Sequence, residues 1–478
     1  MPSSSEAGFR RRRSFTIALL LLPPLFLLGC ANPGQKRLEA FRTRLSQGDL
    51  AGSLDKVRAS KDLYGENSAF LHEMDMGVLH HYLGAWDSSI VHLARAEQIA
   101  DDLYARSVTN EAAALAVNDN MRPFRPREYE RVLLSQFQLV SYLAKGDLQG
   151  ALVETRRGVL LLDKLAERDD GKYREDGALE YLHSLVFRAA GERDNSLISL
   201  RRSVIAYSRG KVPMPDLVRQ DATFRLKRDA RGKVFEERGI TPATNLEPMR
   251  QLDSADAEIA VLTYRGRTPE LGQIRAWGEW VQGGLFAWHW SNPETGKDVT
   301  DAIPAPPMPG GVSGKTFHVN FTLPVRKDVE SRIATVEVVT TKGSVLRPAP
   351  LSDTRILLDQ SLEENHAATV ARTIVRVAAR TLAAQKVKSA VKTGNPLLDL
   401  LANVGMDLAQ GEIEQSDLRQ CIWLPREFGL ARIPVAAGAN ALTVRGLDRN
   451  GGRVGERVFG DASVASGDTR FLVAALPW

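Results

Sequence analysis

A short pattern that begins with a glycine recurs four times in the first half of the chain. A large residue follows two positions after the glycine, a small residue at plus five, a bulkier residue at plus nine and a small residue at plus twelve. The copies begin at Gly48, Gly84, Gly146 and Gly191, and Arg193 replaces the large residue in the last copy. Glycine permits a tight turn between antiparallel helices, and small residues let two helices approach closely. The pattern therefore predicts helical hairpins over residues 38–209.

This pattern resembles the second half of the tetratricopeptide repeat (TPR), whose period is about 34 residues. The four glycines lie 36, 62 and 45 residues apart, so the array is irregular, and one further hairpin is expected between Gly84 and Gly146. A generic helical bundle with glycine–aspartate turns is the alternative. Both arrangements predict a stacked array with a concave surface, which in solenoids usually binds peptides or partner proteins.

The helical periodicity fades after Arg209. Residues 210–250 are rich in charge, Gly and Pro, which predicts a connector with one short helix. Residues 251–478 contain β-branched, partly alternating runs bounded by turn residues, and such runs are typical of strands. The predicted strands are 257–264, 317–323, 334–341, 431–434, 441–445 and 471–476. Helices are predicted at 361–392 and 397–410.

The fold class that follows is multidomain. An N-terminal all-α, TPR-like helical solenoid at 38–209 precedes a connector at 210–250. An α+β domain at 251–478 then carries a small antiparallel sheet, with a helical insertion at about 361–410 between its strands.

Residues 1–29 follow the pattern of a secretory signal peptide. Four arginines at 10–13 precede an apolar stretch at 14–28, which is too short for a comfortable membrane span of roughly 20 apolar residues. The stretch ends in Leu27-Leu28-Gly29-Cys30, which resembles the lipobox of bacterial lipoproteins. The resemblance implies that Cys30 is acylated and becomes the first mature residue, with 30–37 as anchor and tether. An ordinary buried or free cysteine is the alternative.

The residue after Cys30 bears on localisation. Ala31 stands where the usual inner-membrane retention signal of enteric bacteria has an aspartate, and this favours the outer membrane, lipid-anchored and facing the periplasm. Residues 12–15 also partly resemble a twin-arginine export signal, so both export routes stay open. With Cys30 acylated, Cys421 has no partner for an intrachain disulfide.

The positive charge of the chain belongs mainly to this leader. The whole sequence carries a net +5, of which residues 1–29 contribute +3 through four Arg and one Glu, leaving +2. Charge therefore gives no reason to expect nucleic-acid binding.

Four longer stretches together resemble a family of bacterial TPR-containing outer-membrane lipoproteins for which no activity is established. They are residues 128–158, 257–270, 369–380 and 414–425, and the last is the most specific. In such families the genes often lie beside small lipoproteins similar to activators of penicillin-binding proteins. The resemblance therefore implies a role in the cell envelope.

The sequence contains no complete catalytic or metal-binding motif. Residues 309–316 resemble a phosphate-binding loop, but Pro309 replaces the first glycine, and strand-like residues follow where a helix is needed. The spacing of His72, His80, His81 and His92 matches no zinc-ligand motif. We therefore expect no metal, no cofactor and no enzymatic activity.

Two groups of polar residues are candidates for contact with a partner protein. The group on the predicted helices is Glu130, Arg131, Glu154, Arg156 and Arg157. The group that precedes the apolar segment 422–425 is Glu414, Gln415, Asp417 and Arg419. The alternative for each is structural: a surface pair of Glu154 with Arg157, and a network around Arg419 that ties a helix to a sheet.

These features predict a lipid-anchored periplasmic scaffold or adaptor that binds an envelope protein through its TPR-like array. The scaffold or adaptor would act in cell-envelope assembly, either in the regulation of peptidoglycan synthesis or in the export of a surface polymer. Two alternatives remain: an envelope enzyme that acts on glycan or peptide through paired carboxylates, and a passive ligand carrier that uses the C-terminal domain.

The anchor is tested by Cys30→Ser. We expect the variant to leave the membrane fraction as a soluble or unprocessed species, because it lacks the thiol that is acylated. Fractionation of cells followed by immunoblotting measures this. A variant that stays membrane-bound and is still cleaved at residue 30 contradicts the lipobox assignment.

Overall fold

The computed structural model describes residues 32–105, 122–168, 176–227, 230–281, 284–291, 296–304, 318–377 and 415–476. Cys30, Glu414, the segment 309–316 and the predicted helices beyond residue 377 lie outside these ranges.

The N-terminal part is built from eight α-helices in the described residues up to 209. They are α1 Pro33–Gln47, α2 Leu50–Ala59, α3 Ala69–Tyr82, α4 Trp86–Ala105, α5 Glu128–Lys145, α6 Leu148–Arg168, α7 Gly177–Ala189 and α8 Arg193–Arg209. The helices pair as four consecutive hairpins, and each hairpin packs against the next. The prediction of a helical N-terminal part is confirmed. The tether expected at 30–37 is already helical from Pro33 onward.

The repeated glycines lie at the turns of these four hairpins. Their φ angles are positive, 69° at Gly48, 76° at Gly84, 84° at Gly146 and 78° at Gly191. Other residues pay about 1–2 kcal/mol in this left-handed region. The small residues at plus five are fully buried between helices: Ser53, Ser89, Ala151 and Ser196. Local turn chemistry therefore accounts for the repeat.

The extra hairpin expected between Gly84 and Gly146 falls mainly on residues 106–121, outside the described ranges. Helix α4 packs directly against α5. The segment at 210–250 contains three α-helices rather than one, α9 Asp216–Leu226, α10 Val234–Glu237 and α11 Glu247–Ser254. Val218, Ala222 and Leu226 of α9 are buried in the same core as the array, so this segment is part of the packed body.

Twelve strands occur in the described residues. They are β1 Ala257–Arg267, β2 Glu270–Val281, β3 Leu285–Ser291, β4 Asp298–Pro304, β5 His318–Lys327, β6 Thr335–Thr340, β7 Val345–Leu346, β8 Ala349–Asp353, β9 Pro425–Val435, β10 Leu442–Leu447, β11 Arg453–Phe459 and β12 Thr469–Leu476. Helix α12, Thr354–Glu364, follows β8, and residues 366–377 are also helical.

The strands form three four-stranded sheets. The first sheet has the order β12-β1-β9-β8, the second β11-β10-β6-β7 and the third β4-β3-β2-β5. The expectation of one small antiparallel sheet was therefore too simple, because there are three sheets and β1 pairs with β12 in parallel. The six predicted strands correspond to β1, β5, β6, β9, β10 and β12.

Strand β1 lies between two layers and is buried on both faces. Ala260, Leu262 and Tyr264 pack into the core shared with the helical array. Ile259 and Val261 point to the opposite side, into the core shared with the second sheet. A strand buried on both faces reads as a continuous apolar run, as β1 does. The helices, the first sheet and the second sheet therefore form three successive layers.

The third sheet has a core of its own. Phe286, Trp288 and Phe321 pack against Val370 and Ile374 of the helical residues 366–377. This arrangement places one face of the third sheet against a helix.

The turn glycines are tested by Gly191→Ala. A Cβ at this position meets no atom within 4 Å, so the only penalty is the left-handed backbone. We expect the free energy of unfolding to fall by about 1–2 kcal/mol, measured by urea denaturation.

Gly460→Ala is the matched control, because Gly460 is exposed, has no positive φ and also has open space around its Cα. Equal stabilities of the two variants would remove backbone strain as the reason for the repeated glycine.

Candidate functional site

The inner face of the helical array is the surface formed by the first helix of each hairpin, α1, α3, α5 and α7. In the first two hairpins this face contacts Trp423, just before β9. The ring centroids of Phe41 and Trp423 are 5.7 Å apart, in an edge-to-face arrangement. The hydroxyl of Tyr82 donates a hydrogen bond of 2.9 Å to the carbonyl oxygen of Trp423.

The last two hairpins contact the first sheet itself. Phe137 of α5 stacks on Tyr264 of β1, with centroids 5.0 Å apart and planes 13° from parallel. The guanidinium of Arg432 on β9 donates to the hydroxyl of Tyr181 on α7 at 3.2 Å. All four hairpins therefore use an aromatic side chain to hold the chain's own C-terminal part, and the inner face is not open to a partner in this structure.

A buried ionic network joins the array to the first sheet. Arg432 donates to Asp221 of α9 at 2.9 Å and to Glu258 of β1 at 2.6 Å. Arg188 also binds Glu258, and Tyr181 donates to Asp221 at 3.0 Å. Burial alone would raise the pKa of both carboxyl groups, but the charge of Arg432, with its neighbours, outweighs burial and lowers each pKa to about 2.

Two of the predicted partner contacts on the helices are used within the chain. Glu130 is fully buried and accepts a hydrogen bond of 3.1 Å from the backbone N–H of Cys421. Arg131 is 7% exposed, pairs with Asp101 and stacks over the ring of Tyr104. Neither side chain offers a partner a free polar group in this structure.

The other three predicted contacts lie on α6, on the outer face of the array. Arg157 bridges Glu154 and Glu97, and the bond to Glu154 is 3.0 Å long. Arg156 pairs with Glu192 at 2.6 Å. These pairs link α6 to α4 and to the start of α8. Glu154 is buried, whereas the more exposed pair of Arg156 with Glu192 is of a kind that contributes about 0–1 kcal/mol. The structural alternative for Glu154 and Arg157 is therefore present, while Arg156 and Arg157 remain half exposed.

The second predicted group ties distant parts of the chain together. Arg419 is 2% exposed and donates to Asp417 at 2.7 Å, to the carbonyl oxygen of Asn67 at 3.1 Å and to that of Arg122 at 3.0 Å. Gln415 lies beside this network, half buried. The segment therefore joins the loop before α3 to the residues before α5.

A cleft of about 1020 Å³ opens next to this segment. It lies between residues 122–128, the third sheet, the helical residues 359–373 and residues 416–419. Its apolar lining includes Leu103, Ile274, Trp290, Leu323 and Leu362. Its cationic lining is Arg122, Arg125, Arg127, Arg326, Arg372 and Arg419, and its acidic lining is Glu128, Asp359, Glu363 and Asp417. Asp417 and Arg419 are the two predicted site residues that the structure brings to this cleft.

The arginines of the cleft differ in how they are neutralised. Arg326 donates to Asp359 at 2.7 Å, and Arg419 is paired with Asp417. No carboxylate among the described residues pairs with Arg125, which is exposed, or with Arg372, whose Nε donates only to a carbonyl of its own helix at 3.2 Å. The cleft therefore presents uncompensated positive charge beside an apolar surface.

Three acidic residues of the cleft form ion pairs: Asp359 with Arg326, Asp417 with Arg419 and Glu363 with Lys211. Asp359 accepts a hydrogen bond from Arg326, and Asp417 accepts one from Arg419. These bonds engage carboxylate oxygen atoms that would have to face the substrate in a catalytic acid–base pair. Asp75, whose pKa is raised to about 6 by burial, lies outside the cleft, where it accepts a hydrogen bond of 2.8 Å from Tyr64. The carboxylates of Asp359 and Asp417 are therefore held in ion pairs at the wall of the cleft.

The histidines of α3 and α4 surround a carboxylate. Nδ1 of His92 lies 2.7 Å and Nδ1 of His72 lies 3.3 Å from the two oxygens of Glu73, and His80 stacks on His92. Hydrogen bonds from these two histidines lower the pKa of Glu73 to about 2. Within the described ranges there is no group of three ligating side chains that could hold a metal ion.

Sequence reasoning missed most of the cleft. The segment 122–127 alternates arginine with proline and phenylalanine, which is a signal for an extended basic strand on the surface. Of the third sheet, only β5 was predicted; strands β2 and β3, which supply Ile274 and Trp290, were not.

Comparison of the chain with family models, with curated proteins and with solved structures finds no match. None of the helices in the described ranges has the length and apolar character needed to cross a membrane. The function of the chain is therefore inferred from its own geometry and sequence patterns.

The buried network is tested by Arg432→Met. Removing the guanidinium leaves Asp221 and Glu258 buried without their main counter-charge, so we expect the free energy of unfolding to fall by about 3–5 kcal/mol. Urea denaturation at neutral pH measures this. Arg445→Met is the control, since Arg445 forms a part-exposed pair with Glu337 at 3.1 Å and should cost about 0–1 kcal/mol.

The pH dependence of the wild-type protein is a second readout of the same network. The folded-state pKa values of about 2 lie below the ordinary values of about 4. The network therefore stabilises the fold fully above a pH of about 4, and this contribution is lost as the pH falls toward about 2. A loss below 1 kcal/mol in Arg432→Met, with no acid-dependent difference from wild type, would contradict a stabilising role.

Proposed function

We propose that this chain is a non-enzymatic, lipid-anchored adaptor of the bacterial cell envelope. It binds an extended, acidic segment of a partner protein in the cleft beside residues 416–419. The single observation that carries this proposal is the pairing of an apolar lining with Arg125 and Arg372, which lack carboxylate partners among the described residues.

The size of the cleft favours a peptide over a small metabolite. Pockets for small molecules usually measure about 300–1,000 Å³, and this cleft lies just above that range, with about 1020 Å³. An extended segment places alternate side chains on the two sides of its backbone. One side then meets Ile274, Leu323 and Leu362, while acidic side chains on the other side meet Arg125 and Arg372.

The four hairpins form a TPR-like array in this proposal. The left-handed glycines at each turn and the buried small residues at plus five support a repeat of that type. The array differs from a peptide-binding solenoid in one respect, because Trp423 and the first sheet cover its inner face. The array therefore has a structural role, and the partner binds in the cleft and not on the inner face of the array.

The envelope setting comes from the sequence. The lipobox at Cys30 and Ala31 after it support outer-membrane anchoring with the body in the periplasm. The resemblance to TPR-containing lipoproteins supports a process in envelope assembly, either peptidoglycan synthesis or export of a surface polymer.

The cleft is tested by Arg372→Glu in the full, acylated chain. Envelopes are crosslinked, the protein is captured, and the captured partner is quantified by mass spectrometry. We expect recovery to fall about tenfold or more, since reversing a charge opposite an acidic segment costs on the order of 1.4 kcal/mol or more.

Arg95→Glu is the matched control, because Arg95 is also exposed on a helix, α4, and does not line the cleft. If Arg95→Glu loses the partner and Arg372→Glu keeps it, the outer face of the array is the binding surface and the cleft is not.

A further inference from the structure

The start of helix α1 is fixed to the segment that lines the cleft. Asn32 is 2% exposed, and its side-chain amide donates a hydrogen bond of 2.6 Å to the carbonyl oxygen of Ser416. The side-chain oxygen of Asn32 accepts from the N–H of Gly34 at 3.0 Å and so caps the helix. The helix is therefore held at its first residue.

The next turns of α1 are held in the same way. A Cβ at Gly34 would lie 2.4 Å from the carbonyl carbon of Leu418, so the two backbones are in direct contact. The buried guanidinium of Arg37 donates to the carbonyl oxygen of Gln420. Phe41, in the middle of α1, packs on Trp423. Helix α1 therefore lies along the 416–423 segment from Asn32 to Phe41.

This packing leaves very little chain between the acylated cysteine and the folded body. Cys30 precedes Asn32 by two residues, which span at most about 7 Å when fully extended. Headgroups occupy roughly 5–8 Å on each side of the hydrocarbon core, and the acyl chains hold Cys30 at the boundary. Asn32 therefore cannot leave the headgroup region or its immediate edge.

From this geometry we infer that the folded body rests directly on the membrane, with the start of α1, where Gln35 and Lys36 are exposed, at the headgroups. The inference rests on the acylation of Cys30 in the proposed function. The occupant of this surface is the bilayer, since the anchor leaves too short a reach for another protein to lie between them.

Contact with the membrane also limits which partner segments can reach the cleft. Ser416 and Asp417 line the cleft, and the hydroxyl of Ser416 lies 3.0 Å from that of Thr322 on the third sheet. In this arrangement the part of the cleft lined by Ser416 and Asp417 is therefore close to the membrane. Its occupant is a membrane-proximal segment of the partner, such as the residues that follow a second lipid anchor or a transmembrane helix.

The experiment places a fluorescent probe at Gln35→Cys, an exposed residue in the first turn of α1. The acylated Cys30 thiol is blocked. Cys421 is buried, and burial raises the pKa of its thiol well above the usual value, so labelling is selective. The acylated protein is reconstituted in vesicles of phosphatidylethanolamine and phosphatidylglycerol that contain a headgroup spin label. We expect loss of most of the probe fluorescence.

The matched variant carries a flexible spacer of ten Gly and Ser residues between Ala31 and Asn32, which extends the reach to about 18 Å. We expect this variant to remain in the membrane fraction, to recover most of the fluorescence, and to capture less partner in crosslinked envelopes. Weak quenching in the unspaced protein, or equally strong quenching in both, overturns the inference.

The proposed function fails in a different way. If Cys30→Ser stays on the vesicles, the anchor assignment is wrong whatever the probe reports. If Arg372→Glu keeps the partner while quenching at residue 35 is strong, the cleft proposal fails and the membrane contact stands.

Discussion

The structure depends on strand β1, because this strand is buried against helices on one face and against the second sheet on the other. Without β1, Tyr82 and Phe137 on the inner face of the array would be exposed to water. Burial of an aromatic side chain contributes on the order of 1.5–3 kcal/mol, so the array gains much of its stability from a strand that follows it in sequence. The two halves of the chain therefore share one apolar core.

Charged side chains have different roles in the interior and at the surface. Arg432 reaches three groups on α7, α9 and β1 from a fully buried position, and such a network specifies how the layers fit together because each member depends on the others. The pairs of Arg156 and Arg157 are at the surface, with the guanidinium groups about half exposed, and they link neighbouring helices. In the cleft, Arg125 and Arg372 have no carboxylate partner among the described residues.

Features encoded by neighbouring residues were predictable from the sequence, and features encoded by distant ones were not. The glycine of each hairpin acts through its own backbone, so Gly84 and Gly146 identified their turns. The buried state of Glu130 depends on Cys421, 291 positions away, and no local pattern reveals it. Strand β2 escaped prediction because Gly272 and Gly278 interrupt it and because Trp277 is exposed on its outer face.

The parallel pairing of β1 with β12 has a consequence for the order in which the protein acquires its shape. Both neighbours of β1 in the first sheet, β9 and β12, come from the last part of the chain to be synthesised. Pairings between residues so far apart form slowly, since a long loop must close before any contact is gained. Until then the inner face of the helices is an exposed apolar surface, and such surfaces promote aggregation. Covering of this face by the first sheet, which includes Thr469–Leu476, therefore also removes a surface through which two chains could associate.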